Sequence, residues 1–140
     1  MTTPKRLLSL DGGGVRGLSS LLILRDLMSK VGHPGMPLPK PCDYFDLIGG
    51  TSTGGLIAIM LGRLEMTVDE CIDAYMALST EIFSNPRRSS TFSKVKPLLG
   101  GIIEANYSAA NLERIIKKIT KRATGSEDSL LKNPHGRCKV

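Results

Sequence analysis

Apolar residues fall along this chain in short runs separated by glycine-rich or proline-rich breaks. Arg6–Leu10 (RLLSL) is apolar and stops at Asp11-Gly12-Gly13-Gly14, which predicts a buried strand entering a tight loop. In Gly17–Val31 the Leu, Ile and Met positions cover more than one face, and only Arg25, Asp26 and Lys30 are strongly polar. That pattern predicts a helix well buried against a sheet. Gly32–Pro41 holds Pro34, Pro37, Pro39 and Pro41 with Gly35, so it reads as an extended surface loop with no helix. Tyr44–Ile48 (YFDLI) predicts a second strand, which runs into Gly49-Gly50-Thr51-Ser52-Thr53-Gly54-Gly55. Leu56–Leu64 then predicts a helix starting near Thr53. Thr67 and Glu70 have the spacing of a capping box, so a further helix opens there and runs to about Phe83. Ser84–Gly101, rich in Ser, Arg, Pro and Gly, reads as an irregular loop. Ser108 is the expected cap of a last helix, Ala109–Ala123. There Leu112, Ile115, Ile116 and Ile119 recur at helical spacing among Arg114, Lys117, Lys118, Lys121 and Arg122.

Two strands, each followed by a helix, imply a βαβ crossover, a parallel sheet and the α/β class. A parallel sheet wants several strands and cover on both faces. The chain reaches Arg137–Val140 without a turn or cap signal, as a third strand would begin. Residues 1–140 therefore read as the N-terminal part of one domain, with no repeat and no linker to a second.

Composition adds little: 41% hydrophobic and 23% charged residues are ordinary for a soluble globular chain. No apolar run approaches the ~20 residues of a membrane span, and a signal peptide is not expected before the first strand. Cys42, Cys71 and Cys138 are scattered and odd in number, and His33 and His135 are isolated. A disulfide framework or a metal site is not expected, and a reducing, cytoplasmic location is the simplest reading. Charge changes the picture more. Residues 1–83 carry 7 Lys+Arg and 9 Asp+Glu, a balance of −2, whereas residues 84–140 carry 12 and 4, a balance of +8. A basic second half suits an anionic lipid surface or nucleic acid. The plainer reading is a solvated face, with the isoleucines of the last helix packed on the sheet.

The candidate chemistry lies in two loops. Gly50-Thr51-Ser52-Thr53-Gly54 is a G-x-S-x-G between a predicted strand and a predicted helix, the context in which that pattern makes a nucleophile elbow. A sharp strand-to-helix turn strains the serine, and small residues two positions either side, Gly50 and Gly54, let the backbone pass itself. Helix N–H groups starting at Thr53 then face a developing oxyanion. The competing reading is an ordinary βα turn with Ser52 as helix cap. Asp11-Gly12-Gly13-Gly14-Val15-Arg16-Gly17 also lies between a strand and a helix. Its bare glycine amides form an anion-binding concavity, with Arg16 adding positive charge. The alternatives there are a tight packing turn or, from Gly12-x-Gly14-x-x-Gly17, a dinucleotide fingerprint. The fingerprint wants an acidic residue about 20 positions on, and positions 31–42 contain none.

DGGGVRG followed by YFDLIGGTSTGG resembles the patatin-like phospholipase family, closest to its plant and fungal members. The resemblance is good from Leu7 to about Phe83 and loose beyond Ser84. It implies a three-layer α/β/α fold with a parallel central sheet, here the N-terminal half. It also implies hydrolysis of glycerolipid or phospholipid acyl esters by a Ser–Asp dyad, without a metal or cofactor and without nucleic acid as partner. The family's nucleophile falls on Ser52 and its oxyanion hole on Gly12, Gly13 and Gly14, with Thr53 completing the donors. Asp11, Arg16, Gly17, Gly50 and Gly54 support the two motifs. The absence of a well-placed histidine fits a dyad. The family's catalytic aspartate sits in a later Asp-Gly-Gly or Asp-Gly-Ala. Asp11-Gly12 is already part of the oxyanion loop, and Asp128 is followed by Ser129, so these 140 residues lack the base. A non-catalytic recognition module is the other class of function considered. The basic last helix is the candidate for peripheral contact with a membrane surface, set against the solvated-face reading.

Overall fold

The computed structural model describes residues 3–83, 109–133 and 136–140. The predicted loop Ser84–Gly101, the cap Ser108 and His135 lie outside the described residues. Strand β1 (Leu7–Leu10) pairs in parallel with β2 (Leu47–Gly50), with Leu7 opposite Leu47 and Leu10 opposite Gly50. A bridge from Leu47 to Lys139 is also parallel, and the Ile48 N–H donates to the Lys139 carbonyl at 2.9 Å. The segment read as the start of a third strand thus makes one parallel bridge to β2.

The predicted second strand is displaced. Pro41–Tyr44 forms the short helix α2, and β2 begins at Leu47, three residues later than expected. Pro41 stands at the first helical position, where its missing N–H costs nothing. Asp46 is occupied elsewhere. Its carboxylate accepts from the Arg6 N–H at 2.9 Å and from Lys5 Nζ at 3.2 Å, and its own N–H donates to the Arg6 carbonyl at 2.8 Å. The Arg6 guanidinium also lies 4.5 Å over the Tyr44 ring. This clamp sets the entry of both strands and thereby their register. Those bonds, the Arg6 N–H first and then Lys5, hold the Asp46 carboxyl below the usual carboxylate range.

Helix α1 (Gly17–Val31) has the predicted bounds. It buries one stripe, Leu21, Leu24 and Met28, chiefly against α4 (Val68–Phe83), while Ile23 is 71% exposed and Leu22 and Leu27 are also open. The second apolar face anticipated for this helix has no cover among the described residues. The sheet is similar. Leu8, Leu10 and Ile48 point into a single core with the helices, whereas Leu7 and Leu47 on the opposite face are 65% and 40% exposed. The described residues therefore supply one helical layer of the expected α/β/α sandwich.

Helix α3 (Thr53–Ala58) continues through one wider π turn, Ile59–Arg63, in which the Leu64 N–H reaches back to the Ile59 carbonyl at 2.9 Å. The predicted helix boundaries hold, and the widening was not foreseen. Helix α5 (Ala109–Thr124) seats Ile115 and Ile119 on the core beside α4 rather than on the sheet. Its Lys117 and Lys121 pair with Glu113 and Glu127.

The capping box is present. The Glu70 N–H donates to Thr67 Oγ1 at 3.1 Å, and the Thr67 N–H donates to Glu70 Oε2 at 2.8 Å. Thr67→Ala is expected to cost about 1 kcal/mol in chemical denaturation. The Thr67 N–H, then its hydroxyl, hold the Glu70 carboxyl below its ordinary value. A depressed folded-state value means the contribution is present above the unfolded value and lost as pH falls through the folded one. Acid titration of the melting temperature should therefore show wild type losing stability relative to Glu70→Gln as the pH drops below the ordinary glutamate range. Parallel curves would contradict the bond.

Candidate active site

The two glycine-rich loops leave neighbouring strands at the same sheet edge. From β2 the chain turns at Thr51, whose N–H donates to the Leu10 carbonyl at 3.1 Å, and it enters α3 at Thr53. Ser52 stands between them at φ 55°, ψ −123°, backbone that L-residues rarely adopt. The turn is closed by the Gly54 N–H on the Thr51 carbonyl and by the Gly55 and Leu56 N–H groups on the Ser52 carbonyl, at 2.9–3.2 Å. None of these bonds uses the Thr53 N–H. Ser52 is exposed, and its hydroxyl makes no capping bond to the helix. The ordinary-cap reading of Ser52 is thereby excluded.

Close backbone approach makes two glycines obligatory. A Cβ on Gly50 would fall 2.5 Å from the Gly54 oxygen, and one on Gly54 would fall 2.7 Å from the Asp11 oxygen and closer still to that of Leu10. The second contact ties the start of α3 to the end of β1 and brings the loops together.

From β1 the chain passes through Asp11–Gly13 into a tight 3-10 turn, Gly14–Arg16, with Gly14 at φ 55°. The Arg16 N–H and Nε both donate to the Gly13 carbonyl, at 3.2 and 3.4 Å, so Arg16 braces its own loop. This loop lies against Ser52: a Cβ on Gly12 would sit 3.0 Å from the Ser52 Cβ and 3.0 Å from the Thr51 oxygen. The Gly13 N–H donates to Thr53 Oγ1 at 3.3 Å. Gly12, Gly13, Ser52 and Thr53 are thus neighbours.

Tyr75 was missed. It is buried on α4, and its hydroxyl donates to the Gly14 carbonyl, while Gly17 packs on its ring. In sequence it takes its place with Cys71 and Leu78 at ordinary core spacing, so no signal marked it. A groove between α4 and α5, lined by Lys40, Asp73, Lys118 and Arg122, includes neither Ser52 nor the glycine loop.

The three cysteines are free and buried. Burial pushes the Cys71 thiol up to about 12 and, with Asp43 next, that of Cys42 up to about 11. Among the described residues, no three His, Cys, Asp or Glu side chains gather as metal ligands. No helix among them is long and apolar enough to cross a membrane. The dinucleotide reading loses its ribose partner: β2 ends in Gly49-Gly50, and Asp46 is committed to Lys5 and Arg6.

Ser52 is thus exposed and strained between a strand and a helix, and it faces a glycine loop from the next strand. The sequence profile of the patatin-like phospholipase family matches residues 8–135, and the chain belongs to that family. It is 36% identical over 116 residues to Patatin-like protein 2 of Arabidopsis thaliana, covering 79% of this chain and 28% of that protein. It is 43% identical over 79 residues to Calcium-independent phospholipase A2-gamma of Homo sapiens, covering 56% of this chain and 9% of that protein. Phospholipase A I of Arabidopsis thaliana is 42% identical over 79 residues, covering 56% and 6%. The chain thus spans less than a third of the length of these relatives. No solved structure matches it.

Proposed function

We propose that this chain carries the nucleophile and oxyanion site of a lipid acyl hydrolase of the phospholipase A or lipase type, with Ser52 as nucleophile. The observation that carries the reading is the exposed Ser52 at φ 55° with Gly12 packed against it. Holding a non-glycine residue in such backbone costs about 1–3 kcal/mol. An ordinary turn would place glycine there.

In the proposed reaction an aspartate from outside these 140 residues takes the Ser52 proton, completing a Ser–Asp dyad. Oγ attacks the ester carbonyl carbon, and the Gly13, Gly14 and Thr53 N–H groups receive the oxyanion. The alcohol leaves, and water then releases the fatty acid from the acyl-enzyme. The Gly13 bond to Thr53 Oγ1 is long at 3.3 Å, so an anionic oxygen displaces it readily. The exposed Lys118 and Arg122 of α5 mark the face on which contact with an anionic lipid surface would fall. Three free, buried thiols accord with a cytoplasmic setting.

The test is covalent. A fluorophosphonate probe should label Ser52 in a full-length protein carrying this segment, with phospholipid hydrolysis lost in step with labelling. The 140-residue chain alone should hydrolyse esters ~10⁴-fold or more slowly, for want of the base. An unlabelled Ser52 in the full-length protein would favour a non-catalytic recognition role instead.

A further inference from the structure

We propose that Tyr75 is a positioning residue for the oxyanion loop, acting through the Gly14 carbonyl. The inference rests on the reading of Asp11–Gly17 as that loop and goes beyond it, because Tyr75 lies on a different element 61 residues further along the chain. Three successive glycines make a loop that holds no conformation by itself, since glycine backbone is nearly free to rotate. Catalysis by backbone amides requires the opposite, donors fixed before charge develops. Something outside the loop must supply the stiffness.

Tyr75 is placed to do so. It is 2% exposed on α4, and its hydroxyl donates to Gly14, the loop residue at φ 55°. In a planar trans peptide the carbonyl and the following N–H point in opposite directions. Anchoring the Gly14 oxygen therefore fixes the tilt of the Gly14–Val15 peptide and restrains the turn that carries the Gly13 and Gly14 amides. Gly17 completes the seat. A Cβ there would fall 2.7 Å from the Tyr75 Cζ, and closer to its hydroxyl, with Ile57 Cδ1 at 3.2 Å. The last glycine of the motif admits the phenol.

A buried phenol also needs a partner for purely structural reasons, so the test must separate positioning from packing. In a full-length protein carrying this segment, Ser52→Cys supplies a nucleophile that ionises without help from a general base. The thiolate attacks p-nitrophenyl acetate at carbon, the carbon–oxygen bond to p-nitrophenolate breaks, and a thioester remains. That step passes through an oxyanion. Alkylation of the same thiol by iodoacetamide does not. The native thiols are buried, which raises Cys42 to about 11 and Cys71 to about 12 and shifts Cys138 in the same direction, and Ser52→Ala measures whatever they contribute.

Adding Tyr75→Phe should slow acylation about 10-fold, less than the ~10²–10³ for deleting a donor outright, and leave alkylation unchanged. Gly17→Ala, which displaces the phenol while keeping it, should shift the same ratio. Equal acylation with and without the Tyr75 hydroxyl, or a parallel fall in both reactions, overturns the proposal. So does unfolding of both variants, which assigns Tyr75 to the core alone. No acylation even with Tyr75 intact, while alkylation proceeds, sinks the oxyanion-loop reading itself and is distinguishable from the other results.

Discussion

Ser52→Gly is expected to stabilise the fold and, on the proposed reading, to abolish ester hydrolysis by a full-length protein carrying this segment. Ser52 sits at φ 55°, ψ −123°, where an L side chain is strained by about 1–3 kcal/mol and glycine is not. Against that gain stands glycine's greater entropy in the unfolded chain, about 0.5–1 kcal/mol. The Ser52 hydroxyl makes no capping bond to α3, so the folded state loses no cap when it is removed. The net expectation is a gain of about 1 kcal/mol, the difference between those two effects. Ser52→Ala is the control. It retains Cβ and therefore the strain, and its stability should stay near wild type. Both variants should lose probe labelling, and hydrolysis in a full-length protein should fall ~10⁴-fold or more, as for removal of a nucleophile. Urea denaturation read alongside turnover decides it. If Ser52→Gly is less stable than Ser52→Ala, the backbone at position 52 is not strained and the elbow is an ordinary turn.

The opposite signs expected for stability and activity also explain what the sequence could show. Gly50 and Gly54 were legible as a pair because Gly50 lies against the Gly54 backbone across the turn between them, leaving no room for a side chain on Gly50. Such constraints act within a few residues and leave a local pattern. The capping box of Thr67 and Glu70 was legible for the same reason. Features set by distant partners left no such pattern. Asp46 was read as part of a strand because its role as a clamp depends on Lys5 and Arg6, some forty residues earlier. Pro41 was read as loop, although a proline is equally suited to open a helix. The open faces of α1 and of the sheet could not be inferred either. Apolarity tells which surfaces seek cover, and which of them the described residues cover depends on the layers present.

The strongest loss should come from Gly54→Ala. Alanine is small and favours helix, and Gly54 lies in the first turn of α3, so propensity alone predicts a gain of up to ~1 kcal/mol. Packing predicts the reverse. The new methyl would fall 2.8 Å from the Leu10 carbonyl carbon and 2.7 Å from the Asp11 oxygen, nearer still to that of Leu10. These are backbone atoms, and none can rotate away as a side-chain tip would. Relief requires α3 to move off the end of β1, breaking the close approach that brings Gly12 to Ser52. A cost of about 3 kcal/mol is expected, at the upper end for overpacking because no side chain can yield. Activity should fall further than folding does, because a displacement of ~1 Å between nucleophile and oxyanion donors costs ~10²-fold. Gly49→Ala provides the comparison. It lies five residues earlier, at the end of β2, yet a Cβ there meets nothing within 4 Å, so it should leave stability and probe labelling near wild type. Equal tolerance of alanine at positions 49 and 54 would mean that α3 does not press on the end of β1, and the shared volume between the two loops would be lost with it.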